Sequence, residues 1–271
     1  MNRPLLPIGV FDSGVGGLTV LHECLISLPA EDFVYLGDSG HFPYGTKSAG
    51  ELRDRAQLIA GALIERGVKM LVIACNSATA AAGDEIRKLG VEAGVPVVTV
   101  VGPEAEIAAS ISGNGRVGVL ATPATVASGA YHRALEDLGR PLTVTEVAAP
   151  DLAPIIQHGP TFDEEVLETV RGYCEPLRKA EVDTLILGCT HYPLVAPMLQ
   201  RMLGRDVNLV TAGHAIAAAI QRELASRDEL AAERSEGDYR FLVTGDVDSF
   251  VEVGTRFLQL PLAGRAEKFE I

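Results

Sequence analysis

The stretch MLVIACNSATAAAG, residues 70–83, places a cysteine where an apolar run ends and a polar cluster begins. The apolar residues 70–74 predict a buried strand, and the small residues after the cluster predict a helix. Cys75 is therefore expected at the carboxyl end of a strand, beside a helix N-terminus. The free N–H groups of such a terminus carry partial positive charge, which predicts a lowered pKa for the Cys75 thiol and a place for a carboxylate.

A second stretch, TLILGCTHYPLV at residues 184–195, repeats this order of apolar strand, small residue, cysteine and polar residues. Cys189 takes the position of Cys75, and the similarity fades outside the two stretches. This partial repeat suggests two similar lobes that each present one thiol. The other cysteines, Cys24 and Cys174, fall inside helical patterns and are predicted to fill the core.

Short apolar runs alternate with helical patterns along most of the chain. The predicted strands are residues 7–11, 33–37, 70–74, 97–101, 116–121, 142–148, 184–188, 207–210 and 239–243. The predicted helices include residues 48–66, 79–90, 128–138, 163–180 and 212–226. This alternation predicts an α/β fold built from βαβ units, with mostly parallel sheets.

Composition narrows the function classes. The 271 residues, 47% of them hydrophobic, suffice for one large α/β domain or two small ones. The 23 basic against 36 acidic residues give a net charge of −13, which argues against nucleic-acid binding. Neither a secretory signal nor an apolar run of about 20 residues is seen, so we expect no membrane role, a cytoplasmic location and reduced thiols.

Two further strand ends carry suggestive residues, and ligands of α/β proteins gather at such ends. In GVFDSGVGGLTV, residues 9–20, Asp12 and Ser13 leave the strand and glycines follow. A dinucleotide motif would require glycine where Thr19 stands, so a nucleotide site is disfavoured. The alternative is a tight turn in which Asp12 or Ser13 caps the next helix.

The segment YLGDSGHFPYGTKS, residues 35–48, ends a strand at Asp38 and continues into a turn at Tyr44 and Gly45. Backbone N–H groups near Gly45 are candidates for holding a carboxylate. An ordinary turn made by proline and glycine is the alternative.

Residues 187–193, LGCTHYP, place Thr190 as a predicted helix cap after Cys189 and His191 two residues beyond the thiol. Cysteine and histidine at this spacing can supply two metal ligands. No third or fourth ligand accompanies them at a useful spacing, so no metal site is predicted.

Taken together, five stretches resemble one family. FDSGVGGLTV (11–20), the pattern GDxxxxPYG (37–45), ACNSAT (74–79), GCTHYP (188–193) and VTGDVDSF (243–250) follow the order found in glutamate racemases, of the cofactor-independent aspartate/glutamate racemase family. Each motif alone is weak, but the five occur in register and cover nearly the whole chain.

The resemblance implies two α/β lobes that face each other across a cleft. The first lobe would comprise residues 1–97 and 211–271 and carry Cys75, whereas residues 98–210 would form the second lobe and carry Cys189. These two thiols would be the catalytic pair. The residues that would contact the substrate are Asp12, Ser13, Tyr44, Gly45, Asn76, Ser77, Thr190 and His191, with Asp38 as an auxiliary group.

Paired thiols suit the implied chemistry. Inverting a stereocentre by proton transfer needs a base on one face of Cα and an acid on the other, and a reversible reaction requires the two groups to exchange roles. Two cysteines meet this requirement, and we see no nicotinamide, flavin or pyridoxal phosphate signature. The expected partner is a small molecule, glutamate, whose D-form bacteria use for peptidoglycan; a monomer and a homodimer both stay open.

The chain departs from the family pattern at three places. Ser39-Gly40-His41 stands where family members often have Thr-Ala-Arg, and Ser77 stands where threonine is common. Gln157 takes the place of a frequent glutamate, so an acid thought to assist catalysis is missing. None of these changes touches the two thiols.

Three alternatives remain at this stage. The chain could be a related racemase or decarboxylase that acts on aspartate or another acid, because one methylene changes binding by only about 1–3 kcal/mol. It could be a redox switch in which Cys75 and Cys189 form a disulfide, or a ligand-binding protein that has lost catalysis.

Overall fold

The computed structural model describes residues 3–159, 163–232 and 236–271. The strands are β1 (Ile8–Asp12), β2 (Phe33–Gly37), β3 (Met70–Ile73), β4 (Val97–Thr99), β5 (Arg116–Ala121), β6 (Thr143–Ala148), β7 (Thr184–Gly188), β8 (Asn208–Val210), β9 (Tyr239–Val243) and β10 (Ala266–Lys268). The helices are α1 (Leu18–Ser27), α2 (Ala49–Glu65), α3 (Asn76–Ala93), α4 (Val101–Ile111), α5 (Pro123–Ser128), α6 (Ala130–Glu136), α7 (Leu152–His158), α8 (Glu164–Lys179), α9 (Ala196–Leu203), α10 (Ala212–Ser226) and α11 (Val247–Leu258).

Two sheets organise the described residues. The first has the strand order β10-β9-β2-β1-β3-β4, and the second has the order β6-β5-β7-β8. Every strand pair in the described part of the chain is parallel, which confirms the predicted α/β class.

The two sheets draw their strands from different parts of the chain. The first sheet takes its strands from both sides of the second, which lies within residues 116–210. The predicted lobe boundaries at residues 97/98 and 210/211 remain predictions. The lobes as predicted also include residues 1–2, 160–162 and 233–235, which lie outside the described residues.

Two predicted elements need correction. The strand predicted at residues 97–101 ends at Thr99, and helix α4 begins at Val101. Pro103 favours this early start, because proline is tolerated in the first helical turn, where its missing N–H has no intrahelical partner. The helix predicted at residues 128–138 is divided into α5 and α6 by Gly129, whose φ of 64° interrupts a right-handed helix.

The sequence pattern did not indicate strand β10. It has three residues, Ala266–Lys268, and two of them are exposed, so no apolar alternation marks it. Its pairing with β9 places it at the edge of the first sheet.

Helix termini are set by local chemistry. Ser48 and Glu51 form a reciprocal capping box at the start of α2. Helix α3 begins directly after Cys75 and ends at Ala93, where its C-cap Gly94 adopts the left-handed conformation. No helix in the described ranges is both long and apolar enough to cross a membrane.

Side chains of the first sheet alternate between two buried clusters. Phe11 and Ile73 belong to the cluster that α2 and α3 cover. Val10 and Val72 point to the other face, where the second cluster extends as far as Ile186 of the second sheet. A continuous core thus connects the two sheets, and it supports the loops at their carboxyl ends.

Candidate active site

Both strand-end thiols line one narrow cavity between loops of the two sheets. Its volume is about 20 Å³, close to what one ordered water needs. Every predicted site residue except Asp12 and Asp38 lines it. The lining residues are Ser13, Phe42, Pro43, Tyr44, Gly45, Thr46, Cys75, Asn76, Ser77, Thr122, Pro150, Ala153, Pro154, Cys189, Thr190 and His191.

Cys75 is itself the N-cap of α3, and its Sγ accepts a hydrogen bond from the Ala78 N–H at 3.5 Å. Burial nevertheless raises the pKa of the Cys75 thiol to about 12, and the charge of Asp12 adds to this effect. The predicted lowering is therefore wrong. A helix terminus contributes at most about 2 kcal/mol, which is one to two pKa units, whereas full burial can raise a thiol pKa by about 3–5 units.

Cys189 follows β7 in the position that Cys75 holds after β3, but its surroundings differ. The residues after it form a 3₁₀ turn, Tyr192–Val195, and α9 begins only at Ala196. Thr190 is consequently not a helix cap, contrary to the prediction. Burial again raises the thiol pKa, here well above its usual range. All four cysteines are free thiols.

His191 connects Cys189 to Gln157. Its Nε2 lies 2.9 Å from Oε1 of Gln157, and its Nδ1 lies 3.8 Å from Sγ of Cys189. An amide oxygen accepts hydrogen bonds, so this arrangement puts the ring proton on Nε2 and turns the Nδ1 lone pair toward the thiol. Burial lowers the pKa of His191 to about 3, which keeps the ring neutral at physiological pH.

Asp12 lies behind the cavity wall and joins the two sheets' loops. Its carboxylate accepts hydrogen bonds from the Gly14 N–H at 3.0 Å and from the Thr190 hydroxyl at 3.2 Å. Burial raises the pKa of Asp12, although these hydrogen bonds lower it in part. Helix α1 has Gly17 as its N-cap without any side-chain bond, so the capping alternative for Asp12 and Ser13 is wrong.

Asp38 also lies outside the cavity and is completely buried. Its oxygens accept hydrogen bonds from Arg55 at 2.7 and 2.8 Å, from Tyr44 Oη at 2.6 Å and from the Thr244 hydroxyl at 2.6 Å. Burial by itself would raise the pKa of Asp38, but these donors hold it below its usual range. Asp38 thereby fixes Tyr44, which does line the cavity.

Two glycines allow the loops to approach closely. A Cβ atom on Gly16 would lie 2.4 Å from both Nδ1 of His191 and Oγ1 of Thr190, and one on Gly45 would lie 2.7 Å from Cβ of Thr122. Real Cβ contacts are not this short, so a side chain at either position would displace the opposite loop. The glycine-rich stretch after β1 therefore allows the loop after β1 to pack closely against the loop after β7.

Sequence reasoning missed several residues of the site. Thr122 directly follows β5, and its hydroxyl lies 2.9 Å from that of Ser77. The strand-end rule could have found it, since β5 was predicted with the correct bounds. Glu104 and Tyr131 lie within helices and contact Asn76, and no local signal in the sequence marks them.

A larger cavity of about 320 Å³ adjoins the first. Asn76, Cys189 and Thr190 line both cavities, so they form the wall between them. Among the described residues, no group of three or more His, Cys, Asp or Glu side chains is arranged to hold a metal ion.

Comparison with known proteins identifies the family. The model of the Asp/Glu/Hydantoin racemase family matches residues 12–220, which contain both thiols. The chain belongs to this family. The resemblance inferred from the five motifs is thus confirmed.

Relatives of this racemase family match almost the whole chain. A glutamate racemase from Mycobacterium leprae (strain TN) is 44% identical over 265 residues, which are 97% of this chain and 96% of that protein. The crystal structure of glutamate racemase isoform RacE1 from Bacillus anthracis has a TM-score of 0.93 at 34% identity, with 98% of each chain covered. A Francisella tularensis glutamate racemase in complex with D-glutamate has a TM-score of 0.92 at 31% identity and the same coverage.

Proposed function

We propose that this protein interconverts L-glutamate and D-glutamate, with Cys75 and Cys189 as acid/base groups on opposite faces of Cα. The observation that carries the proposal is the single cavity lined by two buried, free thiols from matching strand ends of two sheets. Glutamate as the substrate is supported by the relatives from Mycobacterium, Bacillus and Francisella, all of which are glutamate racemases.

The proposed reaction consists of two proton transfers. The thiolate of one cysteine takes the α-proton and becomes a thiol, which leaves a carbanion at Cα. The thiol of the other cysteine then gives its proton to the opposite face and becomes a thiolate. The reverse reaction uses the same groups in exchanged roles, so the chain needs no net source of protons.

The raised thiol pKa values fit this chemistry. A thiolate formed in a dry cavity is a stronger base than one in water, and the α-proton of an amino acid is a weak acid. The ammonium group of a bound substrate would place positive charge beside the thiolate and offset the cost of forming it. Both thiols would stay neutral until substrate is bound, when one of them would release its proton to solvent and become the thiolate that starts the reaction.

The polar lining divides into two groups of substrate contacts. The backbone N–H groups of Asn76, Ser77 and Thr190, together with Ser13, would hold the α-carboxylate, because the first two lie in the opening turn of α3. The loop of Tyr44 and Gly45 would hold the side-chain carboxylate. A cavity of about 20 Å³ does not admit glutamate, so binding requires these loops to separate.

Two neighbouring groups have proposed auxiliary roles. Nδ1 of His191, which faces Cys189, would accept a hydrogen bond from that thiol and so tune its acidity. Asp12 would support the ammonium group through Thr190, whose hydroxyl it orients. D-glutamate made in this way would serve peptidoglycan synthesis in a bacterial cytoplasm.

The decisive experiment is incubation of the purified protein with L-glutamate in D₂O, followed by circular dichroism and mass spectrometry. The optical signal is expected to decay to zero, and the D-glutamate formed is expected to carry deuterium at Cα. L-Aspartate, one methylene shorter, should react at least about tenfold more slowly. An unchanged optical signal, or unlabelled D-glutamate, would refute the two-thiol reaction.

A further inference from the structure

A buried cluster of polar side chains stands at the N-terminus of α3, next to Cys75. Asn76 Nδ2 donates hydrogen bonds to Tyr131 Oη at 2.6 Å and to Glu104 Oε2 at 3.1 Å. The Tyr131 hydroxyl donates its own proton to the same Glu104 oxygen. Asn76 is 2% exposed and the other two side chains are 0% exposed, so water does not compete for these bonds.

This cluster fixes which way the Asn76 amide points. Both N–H groups of the amide have an acceptor, and the Tyr131 proton is already used by Glu104. Turning the amide over would set its oxygen against the hydroxyl oxygen of Tyr131, whose proton is donated to Glu104. The observed orientation leaves Oδ1 of Asn76 buried and without a partner among the described residues.

An unpartnered buried acceptor is costly, and native structures rarely keep one without a reason. Asn76 lines the cavity between the two thiols. Glutamate at neutral pH has two carboxylates, which accept hydrogen bonds, and one ammonium group, which is its only donor. The free amide oxygen is therefore complementary to one group of the substrate alone.

We propose that Glu104 and Tyr131 are positioning residues that hold Asn76 so that its Oδ1 accepts a hydrogen bond from the substrate ammonium group. This inference rests on the proposed function, because it names the substrate atom that Asn76 contacts. The ammonium would be held beside Cys75, the neighbouring residue in the chain, and its charge would remain on the substrate during proton transfer.

The protonation of Glu104 agrees with this role. Burial raises the pKa of the Glu104 carboxyl to about 8, so at neutral pH it is mostly protonated. Oε2 accepts two hydrogen bonds, whereas Oε1 is buried without a partner among the described residues, so the proton is placed on Oε1. An ionised Glu104 would place a negative charge near Cys189 and raise the pKa of that thiol further, and a neutral carboxyl avoids this effect. Glutamine is then a close mimic of this side chain.

The test compares three variants of the full-length protein. Glu104→Leu and Tyr131→Phe each remove an acceptor of the Asn76 amide, whereas Glu104→Gln keeps the accepting oxygen. Tyr192→Phe is the matched control, because it removes an equally buried phenol that bonds the backbone oxygen of Ala149 instead. For each variant, KM and kcat for both enantiomers are measured, together with inhibition by glutarate, which lacks the ammonium group.

We expect Glu104→Leu and Tyr131→Phe to raise KM about tenfold, the loss of roughly one charge-assisted hydrogen bond. In these two variants the inhibition constant of glutarate should stay within about twofold of the wild-type value. Glu104→Gln and Tyr192→Phe should keep KM within about threefold of the wild-type value. An unchanged KM in Tyr131→Phe, or an equal loss of glutamate and glutarate binding, would overturn the inference.

Failure of the proposed function would look different. It would appear as a wild-type protein that does not turn over glutamate at all, before any variant is compared. If Glu104→Leu does not fold, the contrast between Tyr131→Phe and Glu104→Gln still decides the question.

Discussion

Cys75 and Cys189 occupy matching positions after β3 and β7, yet their surroundings are different. Cys75 caps an 18-residue helix and receives a backbone N–H. Cys189 precedes a 3₁₀ turn and faces a neutral imidazole at 3.8 Å. The two sheets therefore present the same proposed reactive group with different means of supporting its charge, a helix terminus on one side and a histidine on the other.

This difference has a consequence for a reversible two-thiol reaction. The overall equilibrium must be symmetric, because the enantiomers have equal free energy, but the two proton transfers need not respond equally to a change in one half of the site. Changes near His191 should disturb proton transfer at Cys189, and changes near Tyr44 should disturb the Cys75 side. Kinetics measured separately in each direction can therefore reveal which thiol acts on which enantiomer.

The largest effect is expected from removing either thiol. Cys75→Ser and Cys189→Ser should each lower racemisation by at least about a thousandfold, because a serine hydroxyl is a far weaker acid than a thiol and positioned acid/base groups contribute about 10²–10⁴. Circular dichroism with each enantiomer measures the rate. Cys174→Ala, which changes a buried thiol outside the cavity, is the control and should retain activity. Substantial activity in either serine variant would contradict the paired-thiol proposal.

A side chain at Gly16 should damage the Cys189 side specifically. The new Cβ in Gly16→Ala would lie 2.4 Å from Nδ1 of His191, so the imidazole must move. A displacement of about 1 Å at a catalytic group can cost about a hundredfold in rate, and we expect a kcat loss of that order. Gly61→Ala in α2, where a new Cβ would meet no atom within 4 Å beyond the adjoining backbone of its own helix, is the control and should leave kcat unchanged. Normal kcat in Gly16→Ala would show that His191 needs no fixed position.

Arg55 tests the support behind Tyr44. Arg55→Met leaves the buried Asp38 carboxylate without its cationic partner, which should destabilise the fold by about 3 kcal/mol. Urea unfolding followed by circular dichroism gives the free energy of unfolding. Arg171→Met, which opens an exposed ion pair with Glu168, is the matched control and should change it little. A small effect at Arg55 would mean that the hydroxyl donors suffice for Asp38.

The same ion pair predicts how stability depends on pH. The pKa of Asp38 is lower in the folded than in the unfolded protein, so its contribution to stability is present above the unfolded value of about 3.9. As the pH falls through the lower folded value, this contribution is lost. Unfolding free energies between pH 7 and pH 3 should therefore decline more steeply in the wild type than in Asp38→Asn.

The smallest effect is expected at Gln157. Gln157→Glu would set a carboxylate against Nε2 of His191, which raises the low pKa of the imidazole and makes Nδ1 more basic. We expect kcat to change about two- to tenfold. The pH profile of kcat should move to lower pH, because a more basic Nδ1 favours loss of the Cys189 proton. Gln221→Glu, at an exposed position of α10, adds the same charge and is the control; it should alter neither kcat nor its pH profile. Equal changes in kcat for L-glutamate and for D-glutamate would argue against a role of Gln157 confined to one thiol.

Much of the site could be predicted because it follows strand ends. The apolar runs before Cys75 and Cys189 are local patterns, and in a parallel sheet they bring the next residues to one edge. In the sequence Gln157 stands out only as a departure from a family pattern, and its contact with His191 spans 34 residues. Glu104 and Tyr131 carried no signal, since their role depends on which helices pack beside α3.

The sequence by itself determined the alternation of strands and helices, the parallel sheets and the pair of thiols, because these depend on apolar periodicity and on residues adjacent in the chain. Only the tertiary structure decided the state of those thiols. Desolvation depends on every atom that surrounds Sγ, and it outweighed the helix terminus that the local sequence around Cys75 indicated. The partner of each thiol was decided in the same way, since a shared strand-end motif does not specify which distant loop folds against it.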